Sequence, residues 1–115
     1  GDTATFLGFN LPDEQTTKRF QKLLAERGVG TIYYRDNTWH YAPRWEHLIA
    51  RATANSKKFP FTNPMYKGNV AYRVEDIPNA EAIMSRTLFM IIPVKMSDEA
   101  RAKNVDAIAA AAKEL

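Results

Sequence analysis

No cysteine occurs in the 115 residues, which excludes disulfides and thiolate chemistry and fits a cytoplasmic protein. No apolar run approaches the roughly 18 residues of a membrane-spanning helix. The opening G-D-T-A-T-F lacks the basic n-region of a secretory leader, so neither a membrane protein nor an exported one is expected. Glycine is sparse. Its one close pair, in Gly28-Val29-Gly30-Thr31, lacks a third glycine and follows a helical pattern rather than a strand, so it is no phosphate-binding loop. No serine or cysteine nucleophile motif is present either. The two histidines, His40 and His47, stand seven apart with Pro43 between them. That is not a metal-ligand spacing, Asp36 and Glu46 do not complete a set, and no metal is expected.

What is present is ordinary for a soluble globular chain, with 45% apolar and 25% charged residues. The length makes residues 1–115 one domain, large enough to bury a core. A pI near 9.3 suggests nucleic acid, but the formal net charge is only +3 and the signs are interspersed, which reads as a solvated surface. Tyr66-Lys67-Gly68-Asn69-Val70-Ala71-Tyr72 lacks the full pattern of an RNA-stacking strand, so no nucleic-acid partner is expected.

Along the chain, Thr3–Asn10 reads as a strand in which Gly8 marks a bulge or a close neighbour. Asp13 caps a helix carrying Phe20, Leu23 and Leu24, and Gly28 ends it in the left-handed region. Thr31–Tyr34 predicts a strand, and Arg35-Asp36-Asn37-Thr38 a turn. A second helix is expected from Pro43 to Asn55, with a stripe of Trp45, Leu48, Ile49 and Ala52. Residues 55–76 show no period yet hold Phe59, Phe61, Tyr66 and Tyr72, so this loop is expected to lie against its own domain or a partner. A short helix with Ala80, Ile83 and Met84 follows, capped by Asn79. Leu88–Val94 reads as a strand covered on both faces. Ser97 caps the last helix, whose expected core stripe is Val105, Ile108, Ala109 and Ala112. The order predicts an α+β fold, a small mixed or antiparallel sheet covered by helices.

Polar aromatics concentrate between Gly28 and His47, which holds both histidines, both tryptophans and three of five tyrosines. Such side chains carry a polar tip that needs a partner when buried, so packing alone does not explain the cluster. His40 reads either as a general acid, base or hydrogen-bond donor to a substrate, or as a structural cap of its turn. Trp39 and Tyr41 beside it favour the first. His47 reads as scaffold or half exposed. Arg86 is either an anion contact or a charge complementing a helix C-terminus.

Read end to end, the chain resembles the C-terminal small domain of the DegT/DnrJ/EryC1/StrS aminotransferases. The resemblance lies in the opening strand and helix, in Gly28-Val29-Gly30-Thr31 with Tyr34 after it, and in His40 with Pro43. It continues in Ile77-Pro78-Asn79-Ala80-Glu81, in Ser85-Arg86-Thr87-Leu88 with Pro93, and in the closing helix after Met96-Ser97-Asp98-Glu99. It implies part of a pyridoxal-phosphate enzyme that aminates a keto-sugar, nucleotide-linked or a Kdo-type sugar acid of lipopolysaccharide, from a glutamate-type donor. The cofactor and its lysine would belong to a large domain of the same chain in a homodimeric enzyme. No lysine here lies three after a histidine, as that lysine commonly does, so no catalytic or cofactor-binding residue is assigned. Tyr34 and His40 are carried over as sugar contacts, and Asn37 and Trp39 join them by adjacency. The segment 37–41 and the loop 55–76 depart from the general pattern and suggest a subgroup. The residues by themselves leave an alternative, a free-standing α+β binding module for a small ligand or RNA.

Overall fold

The structure, a computed structural model, describes residues 5–69 and 71–115. Three antiparallel strands form the sheet: β1 (Phe6–Asn10), β2 (Ile32–Tyr33) and β3 (Thr87–Ile91), in the order β1-β3-β2. With α-helices packed against it the architecture is α+β, and the sheet is antiparallel throughout the described residues. Thr3 and Ala4, expected to open the first strand, lie outside the described residues. Gly8 marks no bulge, because the register from Phe6 opposite Ile91 to Asn10 opposite Thr87 is unbroken. Its role is close approach: a Cβ there would meet the Phe89 ring at 3.0 Å.

Local signals place the helix ends. Helix α1 (Glu14–Glu26) starts where Asp13 Oδ1 accepts from the Thr16 N–H at 2.7 Å. It stops in a Schellman turn, with Gly28 at φ +76° and the Val29 N–H donating to the Leu24 carbonyl at 2.9 Å. Val29 then folds into the core beside Leu24. At α4 (Asp98–Ala112), the Ser97 hydroxyl accepts from Ala100 N–H at 3.1 Å.

Side chains alternate across β3. Leu88 and Met90 point down into a core shared with Phe20 and Leu24 of α1, Val29, Tyr33 and the alanines Ala107 and Ala111 of α4. Thr87, Phe89 and Ile91 point to the other face, where α3 (Pro78–Met84) packs against the strand. Cover there is incomplete. Ile91 and its cross-strand partner Phe6 are 54% and 48% exposed, which corrects the expectation of a strand covered on both faces. The run is apolar because its inner face is core and its outer face is only partly roofed.

Three further expectations are corrected. In α4 the inward residues are Ala107 and Ala111, with Asn104 and Ile108 half-buried, whereas Val105 is exposed and Ala109 and Ala112 with it. An alanine-rich helix is similar on every side, so its pattern does not select a face, and alanines inward allow close approach to α1. The second helix is one turn, α2 (Glu46–Ile49), preceded by a 3-10 turn at Ala42–Arg44 and closed by Arg51 at φ 52°. No residue of its stripe is buried, and so short a helix gains nothing from propensity without packing. Asn79 does not cap α3: the helix begins with Pro78 as its first residue and Asn79 inside it.

The molecule is elongated, 59 × 30 × 27 Å. Its radius of gyration of 19.2 Å exceeds the ~13 Å of a compact domain of this length. Among the described residues none between 42 and 86 is buried, and within that stretch residues 47–74, ahead of α3, form an arm on the sheet-and-helix body. Replacing Leu88 by Ala is expected to cost about 2–5 kcal/mol in urea denaturation, and Val105 by Ala less than about 0.5 kcal/mol. Packing in the phase read from the sequence would give Val105 a large value instead.

Candidate functional site

The chain leaves the sheet at Tyr33, which is buried and donates its hydroxyl to the Ser85 carbonyl at 2.8 Å. Tyr34, expected to end the strand, instead opens a 3-10 turn over Tyr34–Asp36, closed by Asn37 N–H to the Tyr34 carbonyl at 2.9 Å. That turn lifts the Tyr34 ring over the outer sheet face. It meets Phe89 edge-on, with centroids 4.8 Å apart and planes at 74°. On its other side lies the His40 imidazole, 6.3 Å away.

Asn37 closes the next turn. Its Oδ1 accepts from both the Trp39 and His40 N–H groups at 2.8 Å, an Asx-type turn that folds residues 37–40 back on themselves. The carbonyl oxygen is thereby engaged within the turn. The consequence is outward display: Trp39 is 81% exposed, and His40 is exposed beside it. Trp39 also lines an open cleft of 380 Å³ with Thr38, Trp45 and His47.

All four residues singled out from the sequence therefore share one edge. Tyr34 and His40 flank each other, Trp39 stands at the rim, and Asn37 shapes the turn. The edge offers a phenol, an imidazole, an indole and an amide, which can hydrogen-bond hydroxyls and pack on the apolar face of a sugar ring. It offers no amine and no carboxylate. The apolar strip of Phe89, Ile91 and Phe6 continues it along the sheet. His47, read as scaffold, is exposed, stacks on Trp45 at 6.3 Å and 22°, and separates the Trp39 cleft from a second one.

A network that sequence reasoning missed ties this turn to the body. The Arg35 Nε donates to Glu81 Oε1 and its Nη1 to Glu14 Oε1, both at 2.5 Å. The hydroxyl of buried Tyr41 donates to Glu81 Oε2. Arg44 closes the group, with Nε to the Arg35 carbonyl at 2.9 Å and Nη2 to Asp36 at 3.1 Å. Burial first, and then the Glu81 carboxylate, push the Tyr41 hydroxyl up to about 12. Lys18 and then Arg35 hold the Glu14 carboxyl below the usual range. Glu81 stood in the sequence as the last residue of Ile77-Pro78-Asn79-Ala80-Glu81, and nothing near it in the chain announces Arg35 or Tyr41 as partners.

The arm presents a separate surface. Between residues 47 and 74 lie five cations, Arg51, Lys57, Lys58, Lys67 and Arg73, and no carboxylate. Phe61 meets Tyr72 edge-on at 6.4 Å and carries the Arg51 guanidinium at 5.7 Å. With Leu48, Phe59 and Pro60 they line an apolar groove of 540 Å³. The loop thus lies against α2 of its own chain, as one of its expected partners, while Phe59, Tyr66 and Tyr72 stay exposed. Among the described residues no group of three or more His, Cys, Asp or Glu could hold a metal ion. No helix there is long and apolar enough to cross a membrane.

No family model matches the chain.

Because the Tyr41 pKa is raised on folding, the neutral phenol is the form the fold favours, and its contribution is complete below the unfolded value of about 10. Stability is expected to fall as pH rises from about 10 to about 12, measured by urea denaturation at fixed salt. Tyr41→Phe should make that fall shallower.

Proposed function

We propose that this chain is the C-terminal small domain of a pyridoxal-phosphate-dependent aminotransferase. In this reading it forms the sugar-facing wall of a site that aminates a keto-sugar for cell-surface polysaccharide. The observation carrying this is the shared edge of Tyr34, Trp39 and His40, displayed outward by the Asn37 turn and continuous with an unroofed strip of sheet. A wall of this kind is half a site. By the resemblance of its ordered segments to the DegT/DnrJ/EryC1/StrS enzymes, the other half would be a large domain of the same chain.

The residues of the edge do not fit the cofactor itself. A covalent site needs an amine, and neither Tyr34, Asn37, Trp39 nor His40 provides one. Its phosphate needs a cradle of N–H groups, while those of Trp39 and His40 are bound to Asn37. No chemical step is therefore assigned to this chain. Its part is to bind and orient: Trp39 against the apolar face of the sugar, and Tyr34 and His40 on hydroxyls or the acid group.

Two measurements decide the matter. The isolated chain mixed with pyridoxal phosphate should show no aldimine absorbance, whereas the parent protein should show it and transfer an amino group from glutamate to a keto-sugar. Neither property in the parent would end the proposal. Within the parent, His40→Ala and Tyr34→Phe should raise KM for the sugar by about 5- to 100-fold with smaller effects on kcat.

The arm favours a second reading, a binding module for an anionic ligand such as RNA, since its five cations are interleaved with aromatic rings. Titration with single-stranded RNA over a range of salt separates the two. Micromolar binding that falls steeply with salt supports the module, and its absence leaves the aminotransferase wall.

A further inference from the structure

Glu81 lies outside the binding edge, yet it touches the residues that directly follow the edge's two key side chains. Arg35 comes after Tyr34, and Tyr41 comes after His40. We infer that Glu81 is a positioning residue of the edge: one carboxylate oxygen holds Arg35 and the other holds Tyr41, so one side chain on α3 ties together the two ends of the turn that carries Tyr34 and His40. The inference concerns the site proposed above and takes its functional meaning from that reading.

Geometry supports a clamp rather than an incidental surface pair. Arg35 and Glu81 are mostly withdrawn from solvent, with side chains 25% and 23% exposed, where a charge-assisted bond is screened less than at the surface. Arg35 is gripped on two sides, by Glu81 on α3 and Glu14 on α1, so the start of the turn is referenced to both helices. The end of the turn has one such anchor, the Tyr41 hydroxyl on the second oxygen of Glu81. Between the two anchors the chain is closed by Asn37 Oδ1, and Arg44 holds its first residues through the Arg35 carbonyl and Asp36.

The side chain required is specific. Aspartate would keep the charge but fall short by one methylene, about 1.5 Å, and could not reach both partners. Glutamine would keep the reach but replace one acceptor by an N–H₂ that faces a donor, either the guanidinium or the phenol. The Ile77-Pro78-Asn79-Ala80-Glu81 segment thus acquires a physical role. Pro78 fixes the first turn of α3, and that turn aims the carboxylate at the edge.

The test uses the free protein and needs no cofactor. In NMR spectra of the protein, a cross-relaxation signal between the Tyr34 and His40 rings reports their spacing, and amide exchange reports the turn. Glu81→Gln, Glu81→Asp and Tyr41→Phe are each expected to remove the ring-to-ring signal. Each should speed exchange at residues 36–41 by about tenfold or more while leaving β3 unchanged. Adding Tyr41→Phe to Glu81→Gln should have less effect than the sum of the two. Retention of the signal with unchanged exchange in all three variants overturns the clamp. So does acceleration spread equally through β3, since Glu81 would then be a general support of the fold. In the parent enzyme, Glu81→Gln should raise KM for the sugar about tenfold with kcat within about twofold. A loosened turn with an unchanged KM would leave the clamp standing and remove the sugar from the edge, so the two ideas fail separately.

Discussion

The pairing of β3 on both of its edges is the constraint on which the rest of this structure depends. Placed between β1 and β2, the strand sends Leu88 and Met90 into the core with α1 and α4, and Phe89 to the opposite face, where Tyr34 rests on it. A strand has period two, so these assignments cannot be changed one at a time. A register slip by one residue would put Phe89 in the core and withdraw the platform from under the Tyr34 ring. Core and candidate edge are therefore built on two faces of the same five residues.

Features decided within about four residues of chain were legible from sequence. Asp13 and Ser97 cap their helices, and Gly28 takes the left-handed position that closes α1. Each acts through a local hydrogen bond that any context leaves in place. Features decided by what lies across a gap were not legible. The phase of α4 depends on how closely alanines approach α1, and α2 stops after one turn because the loop covers its apolar stripe only in part. The site shows the same division. The family resemblance pointed to Tyr34 and His40, and adjacency added Asn37 and Trp39; the structure brings all four to one edge, where Asn37 spends its carbonyl oxygen on the turn. Glu81, Arg35 and Tyr41 are linked across 40 residues or more, and a charge pattern along the chain carries no trace of that link.

The charge of the molecule is distributed as unevenly as its shape. The arm carries five cations without a single acid, so the remainder of the chain is slightly acidic and the modest overall value conceals a polarised surface. Body and arm also differ in how they are held. The body has a hydrophobic core, whereas the arm relies on local bonds such as Asn55 and Asn63 side chains to nearby N–H groups and Thr62 to the Lys57 carbonyl. Elements held in this way open at lower free energy than core strands, which suits a surface that must adapt to what it meets.

Gly8 sits opposite Phe89, and the bare backbone of β1 is what lets that ring lie flat on the sheet. Tyr34 leans on the ring, and His40 leans toward Tyr34. The elevation of the Tyr34–His40 edge is thus set by the smallest residue of a different strand, some thirty positions upstream. A methyl group on Gly8 would act as a shim, raising the whole stack of rings without touching Tyr34 or His40.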